Sequence, residues 1–128
     1  MKYNGNVLVA DDEPHIRKFV GMILKQLGVK TVLEAGNGEE AVAIFEQEKP
    51  KVVLIDVNMP FMNGLEALRR MKEIDPSCVA IMLTSLTTVE TVEEALTLGA
   101  AGYILKDAPK EEIANDLAET IDACLESK

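Results

Sequence analysis

Two hydrophobic periods alternate along this chain, and that alternation narrows the possible folds more than any other feature. Five short runs, "NVLVA" (6 to 10), "KTVLEA" (30 to 35), "KVVLID" (51 to 56), "CVAIML" (78 to 83) and "GYIL" (102 to 105), are mostly apolar and rich in Val, Ile and Leu. Such runs suit strands covered on both faces. Between and after them lie segments with helical spacing: Ile16, Val20, Ile23 and Leu27; Ala41, Ile44, Phe45 and Glu48; Leu65, Leu68 and Met71; Val89, Val92 and Leu96; and Ile113, Leu117, Ile121 and Leu125. Gly28 and Gly99 fall at helix C-caps, Pro50 and Pro76 end helices, and Pro14 suits a first helical turn. Strict (βα)5 alternation requires right-handed crossovers, a parallel central sheet and helices on both faces. Five strands are too few for a closed (βα)8 barrel, so the expected class is α/β, a doubly wound flavodoxin-like sheet of order 2-1-3-4-5. The 128 residues are expected to form one domain, 1–128, without a linker or internal repeat.

In open sheets of this kind ligands bind beyond the carboxyl ends of the strands, where the winding reverses. The first strand ends in Asp11 and Asp12, the third in Asp56, the fourth in Thr84 and Ser85, and the fifth in Lys106. Taken singly these residues have ordinary uses: Asp12 or Glu13 as a helix cap, Thr84 and Ser85 as loop or cap residues, Lys106 as a solvated lysine. Taken together they converge on one edge. Carboxylates gathered there must raise a pKa, pair with a cation, or hold a metal. An all-oxygen set with few protein ligands suits Mg²⁺, which keeps waters and often shares its sphere with a phosphoryl group. Asp56, at the end of a rigid strand, is then placed as a nucleophile toward phosphorus, with Thr84 and Lys106 stabilising the remaining oxygens.

Composition excludes several classes. Thirteen basic residues against 22 acidic give a net charge of -9, so phosphate backbones and anionic membrane surfaces are repelled, and neither nucleic acid nor membrane is an expected direct partner. The composition and the lack of a long apolar stretch give a cytoplasmic expectation, with Cys78 and Cys124 as free, packed thiols. The lone His15, beside Pro14 at a helix start, reads as a solvated histidine rather than a phosphate carrier.

With these residues in place, the chain from 6 to about 125 resembles the receiver domain of two-component response regulators. The resemblance is carried by "VLVADDE", "VLIDVNMPFMNG", "IMLTS" and "GAAGYILKD" as a set. It implies that Asp56 accepts a phosphoryl group from a histidine kinase or histidine phosphotransfer protein. It also implies that Asp12, Asp56 and the Asn58 carbonyl ligate Mg²⁺ directly, with Asp11 acting through water. Thr84 would then move toward the phosphate and Tyr103 would swing inward, remodelling the face made by the fourth helix, fifth strand and fifth helix. Such a chain is a switch that promotes its own phosphorylation and dephosphorylation, not a turnover enzyme. "GYILKDAPKEE" is similar to the NarL and LuxR-type branch, which adds a helix-turn-helix domain; the resemblance leaves open whether this receiver acts alone or within a longer transcription regulator. Asp107 follows Lys106 where most receivers have proline, and Ser85 and Leu86 depart from the pattern beside the site. A phosphorylation-dependent homodimer and simple packing account equally for the amphipathic helices.

Two other classes compete. A flavin-binding electron carrier shares the fold but needs a phosphate-cradling loop where this chain has "DDEP". A Mg²⁺-dependent phosphohydrolase with an aspartyl intermediate would need a substrate-specificity segment that the chain has no length to supply.

Overall fold

The computed structural model describes residues 3–85 and 89–126. Five strands and five helices alternate: β1 (Asn6–Ala10), α1 (Pro14–Gln26), β2 (Thr31–Ala35), α2 (Gly38–Glu48), β3 (Val52–Asp56), α3 (Gly64–Ile74), β4 (Val79–Thr84), α4 (Val89–Thr97), β5 (Gly102–Leu105) and α5 (Lys110–Glu126). All neighbouring strands are parallel, in the order β2-β1-β3-β4-β5. This is the flavodoxin-like sheet that the alternation predicts. β2, β3 and β4 begin one residue later than the apolar runs suggest, at Thr31, Val52 and Val79, and β4 runs on to Thr84.

Strand alternation divides the core into two layers. Leu8, Val53, Ile55, Ala80 and Met82 face α2, α3 and α4, where they meet Phe45, Leu68, Met71 and Ala95. Val7, Val9, Leu54, Ile81 and Leu83 face α1 and α5, meeting Ile23, Leu24, Ile113, Leu117 and Ile121. β3 and β4 are buried along their whole length, as central strands covered on both sides must be. The fourth helix departs from the expected stripe: Ala95 is its buried residue, whereas Leu96 is 53% exposed and the Val89 side chain lies outside the described atoms. Cys78 is buried and Cys124 half-buried, and neither is in a disulfide.

The loop after β3 is clamped at both ends. Asn63 caps α3 by accepting from Glu66 N–H at 2.9 Å, and Gly64 N–H donates to Val57 O at 2.9 Å. A Cβ on Gly64 would lie 2.0 Å from the Asp56 carbonyl oxygen, and one on Gly38 would lie 2.0 Å from Met62 O. Only glycine lets α3 and α2 approach this closely. Between the clamps Met62 N–H donates to Pro60 O at 2.8 Å, closing a γ-turn on Phe61. Phe61 has φ of 69° and is 82% exposed, a strained backbone conformation beneath a side chain that lies mostly in solvent.

Gly64→Ala is therefore expected to destabilise the protein by about 2 kcal/mol or more, since backbone must shift to admit the methyl group. Urea unfolding measures it; a midpoint equal to wild type would mean the loop is not clamped by this contact.

Candidate functional site

Register delivers the site. Ala10 pairs with Ile55, so Asp11 and Asp56, each one residue further on, reach the same level at the sheet edge. Asp56 pairs with Leu83 and Thr84 with Leu105, and Lys106 N–H donates to Thr84 O at 2.9 Å. The long lysine side chain then reaches back across two strands. Its Nζ lies 2.7 Å from Asp11 Oδ2 and 2.9 Å from Asp56 Oδ2, with the ammonium group almost fully buried.

The two carboxylates are held by the same local device. Asp11 Oδ1 accepts from Glu13 N–H at 2.9 Å, and Asp56 Oδ1 accepts from Asn58 N–H at 3.1 Å, both two residues ahead. Each Asx turn fixes its carboxylate with one oxygen toward the backbone and the other toward Lys106. Asp11 is 0% exposed and Asp56 4% exposed, so neither charge is relieved by water. Lys106 makes a directed hydrogen bond to Asp56, but its contact with Asp11 Oδ2 is an ion pair outside hydrogen-bond angles, and that oxygen is left as a buried acceptor without a directed donor.

The titration directions follow. Burial pushes the Asp56 carboxyl above its ordinary value; hydrogen bonding to Lys106 offsets part of this, while the Asp11 charge adds to it. Burial opposes the charge on Lys106, yet the contacts with Asp11 and then Asp56 outweigh it and raise its pKa. The ammonium thus stays protonated and shared between two strands.

Asp12 is exposed, and one carboxylate oxygen each from Asp11, Asp12 and Asp56 lie within 4.8 Å of one another. An all-carboxylate trio with a buried oxygen lacking a directed donor has the chemistry a hard divalent cation requires. Asn58 is exposed on the loop just beyond Asp56. Thr84 is buried and lines a narrow apolar cleft under α4 with Val57, Met82, Ala95 and Tyr103. Tyr103 is 48% exposed at the mouth of this cleft.

Some expectations change. Neither Asp12 nor Glu13 caps α1 through its side chain; Glu13 holds the cap position without a side-chain hydrogen bond, and the nearby Asx turn belongs to Asp11. Ser85 is exposed, and Leu86 lies outside the described residues. No peptide is cis among the described residues, so the Lys106–Asp107 bond is trans. His15 is largely exposed and sits 3.6 Å from Glu13 Oε2. Sequence reasoning missed Arg17, whose Nη1 donates to Asp11 O at 2.6 Å and whose Nε donates to Glu34 Oε1 at 3.0 Å. A visible signal existed: a cation in the opening turns of α1, where the helix dipole favours acids.

Comparison with known proteins agrees with this geometry. The family model for the response regulator receiver domain matches residues 7–118. The chain belongs to that family. Among its relatives, chemotaxis protein CheY of Thermotoga maritima is 35% identical over 100 residues, covering 78% of this chain and 83% of that protein. Nitrate/nitrite response regulator NarL of Escherichia coli is 37% identical over 112 residues, covering 87% of this chain and 52% of that protein. A solved CheX–CheY–BeF3–Mg complex from Borrelia burgdorferi superposes with a TM-score of 0.83 at 28% identity, over 92% of this chain and 87% of that one. This receiver therefore resembles both stand-alone CheY and the receiver part of longer regulators, and it spans about half the length of NarL-sized relatives. No described helix is long and apolar enough to cross a membrane.

Because folding raises the Asp56 pKa, the native state holds that proton more tightly than the unfolded chain, whose value is near 3.8. Its contribution to stability is thus greatest at low pH and is lost as pH rises through the raised native value. In metal-free buffer at pH 7, Asp56→Asn is expected to gain about 1 kcal/mol, roughly 4 °C in Tm, an advantage that shrinks as pH falls, so that the acid limb of its stability profile is steeper than that of wild type. Thermal melts of both proteins from pH 4 to 7 check this; a lower Tm for the variant would reverse the sign argued here.

Proposed function

We propose that this receiver is a phosphorylation switch in which Asp56 takes one phosphoryl group from a phosphohistidine on a histidine kinase or phosphotransfer protein. The observation that carries the reading is the single buried ammonium shared by two strand-end carboxylates, 2.7 and 2.9 Å away. A carboxylate oxygen of Asp56 forms the new O–P bond, the P–N bond to the donor imidazole breaks, and the imidazole keeps the electron pair and takes up a proton. Hydrogen bonding to Lys106 favours the ionised, nucleophilic form of Asp56 against the cost of burial. Asp11, Asp12, Asp56 and the Asn58 carbonyl would hold Mg²⁺, which when bound neutralises phosphoryl oxygens. Lys106 and Thr84 donate to the oxygens that remain. Water later cleaves the acyl phosphate, so the chain resets itself and is not a turnover enzyme.

The output would pass through Thr84. A phosphoryl group adds roughly -1.5 to -2 charge and recruits nearby donors, drawing the hydroxyl out of the cleft under α4. That cleft holds about 10 Å³, on the order of one water. The Tyr103 ring cannot enter until Thr84 or α4 withdraws, which couples the two movements. The face formed by α4, β5 and α5 would then engage a downstream protein, an output domain or a second copy of the chain. Leu96, Tyr103 and Leu105, all at least 40% exposed, supply its apolar contact.

Intact-mass spectrometry after incubation with acetyl phosphate and Mg²⁺ is expected to show one added phosphoryl group, absent without Mg²⁺ and absent in Asp56→Asn. An adduct that persists in Asp56→Asn would remove Asp56 as the acceptor. Lys106→Ala is expected to bind Mg²⁺ yet show no change in Tyr103 fluorescence on phosphorylation, and a wild-type change would take Lys106 out of the switch.

A further inference from the structure

We propose that Arg17 is a positioning residue for the divalent-cation site, fixing the peptide that carries Asp12; this rests on the reading of Asp11, Asp12 and Asp56 as Mg²⁺ ligands. The Asp11 carbonyl, which accepts from Arg17 Nη1 at 2.6 Å, belongs to the peptide joining Asp11 to Asp12. Arg17 is itself anchored on β2, through Nε to Glu34 Oε1 at 3.0 Å. Asp11 N–H donates to Ala35 O at 3.0 Å, one residue beyond Glu34. The main chain at Asp11 is therefore tied to the end of β2 on both sides, once directly and once through the arginine fork.

Asp12 needs such support. The Asp11 carboxylate is locked by its Asx turn and by Lys106, but Asp12 is exposed, and no hydrogen bond to its carboxylate is found among the described residues. Its position depends on the peptide before it. Arg17 is the fourth residue of α1, near the positive end of the helix dipole, and α1 carries no acid in its first turn. Helix stability alone gives no reason for a cation at that position. Its side chain is only 19% exposed, so the fork is held rather than solvated. Planar guanidinium geometry allows Nε and Nη1 to serve Glu34 and the carbonyl together, which a lysine ammonium on its flexible stem cannot reproduce.

Charge and geometry predict opposite results. Removing Arg17 removes a positive charge and leaves Glu34 unpaired, which by electrostatics alone would strengthen Mg²⁺ binding. Loss of the tether weakens it, and outer-shell supports of metal ligands typically matter by 10–100-fold. Mg²⁺ affinity is measured by isothermal titration calorimetry on wild type, Arg17→Met, Arg17→Lys and Glu34→Gln, beside melts in EDTA. The expected result is a Kd about tenfold weaker in Arg17→Met. Arg17→Lys should lose several-fold although its charge is kept, and Glu34→Gln should fall between wild type and Arg17→Met. Acetyl phosphate labelling of Arg17→Met should recover its full rate at high Mg²⁺, a change in cation affinity rather than in the transfer step.

Tighter or unchanged Mg²⁺ binding in Arg17→Met overturns the proposal, as does a lowered Tm with unaltered affinity, which would make Arg17 merely structural. If Arg17→Met fails to fold, the Arg17→Lys and Glu34→Gln affinities decide between the same outcomes. Absence of saturable Mg²⁺ binding by wild type would instead overturn the metal reading itself.

Discussion

One ammonium group shared between two buried carboxylates sets the terms for the rest of this receiver. Lys106 reaches across β4 to lie within 3 Å of both Asp11 and Asp56, and neither acid is accessible enough for water to replace it. The arrangement carries one positive charge against two negative, so it neutralises the cluster only in part. Burying ions is costly even when they are paired, and removing one partner is costlier still. A fold that keeps such a group at its sheet edge is trading stability for a site with negative charge to spare. Burial is the main reason that the Asp56 pKa is raised, and the Asp11 charge adds to it.

The placement of that group follows from features of the backbone that a linear sequence encodes well. Parallel strands in register end at common levels, so a chain whose apolar runs stop at Asp11, Asp56, Thr84 and Lys106 brings those residues to one edge. The sheet order and the convergence of these residues were legible for this reason. Side-chain direction was less so. Spacing alone could not say that Asp11, rather than Asp12, would share the lysine, because that choice is made by the Asx turn onto Glu13 N–H.

Elements that depend on tertiary contact were harder to read. The stripe Val89, Val92 and Leu96 suggested a helix seated on its larger residues, but α4 rests on Ala95 and leaves Leu96 outside. Alanine carries too weak a hydrophobic signal to mark the buried face. The need for glycine at positions 38 and 64 comes from the Met62 and Asp56 carbonyl groups, which only the folded chain brings against them. Arg17 stood out only as a cation in the opening turns of α1; its partners, the Asp11 carbonyl just beyond β1 and Glu34 on β2, are brought beside α1 only by the folded sheet.

Strand alternation also has a geometric consequence. Asp11 and Asp56 follow Ala10 and Ile55 and so continue the side of the sheet that carries Val9 and Leu54, under α1 and α5. Thr84 continues the opposite side, with Met82, and lines the cleft beneath α4. Charge gathers along one side of the rim, while the hydroxyl beside it belongs to the other. The thickness of a single strand therefore separates the charged side of the rim from the side that holds the cleft under α4. On the proposed switch, a shift of one hydroxyl at the rim would alter the α4 layer while every rung of the parallel ladder stays intact.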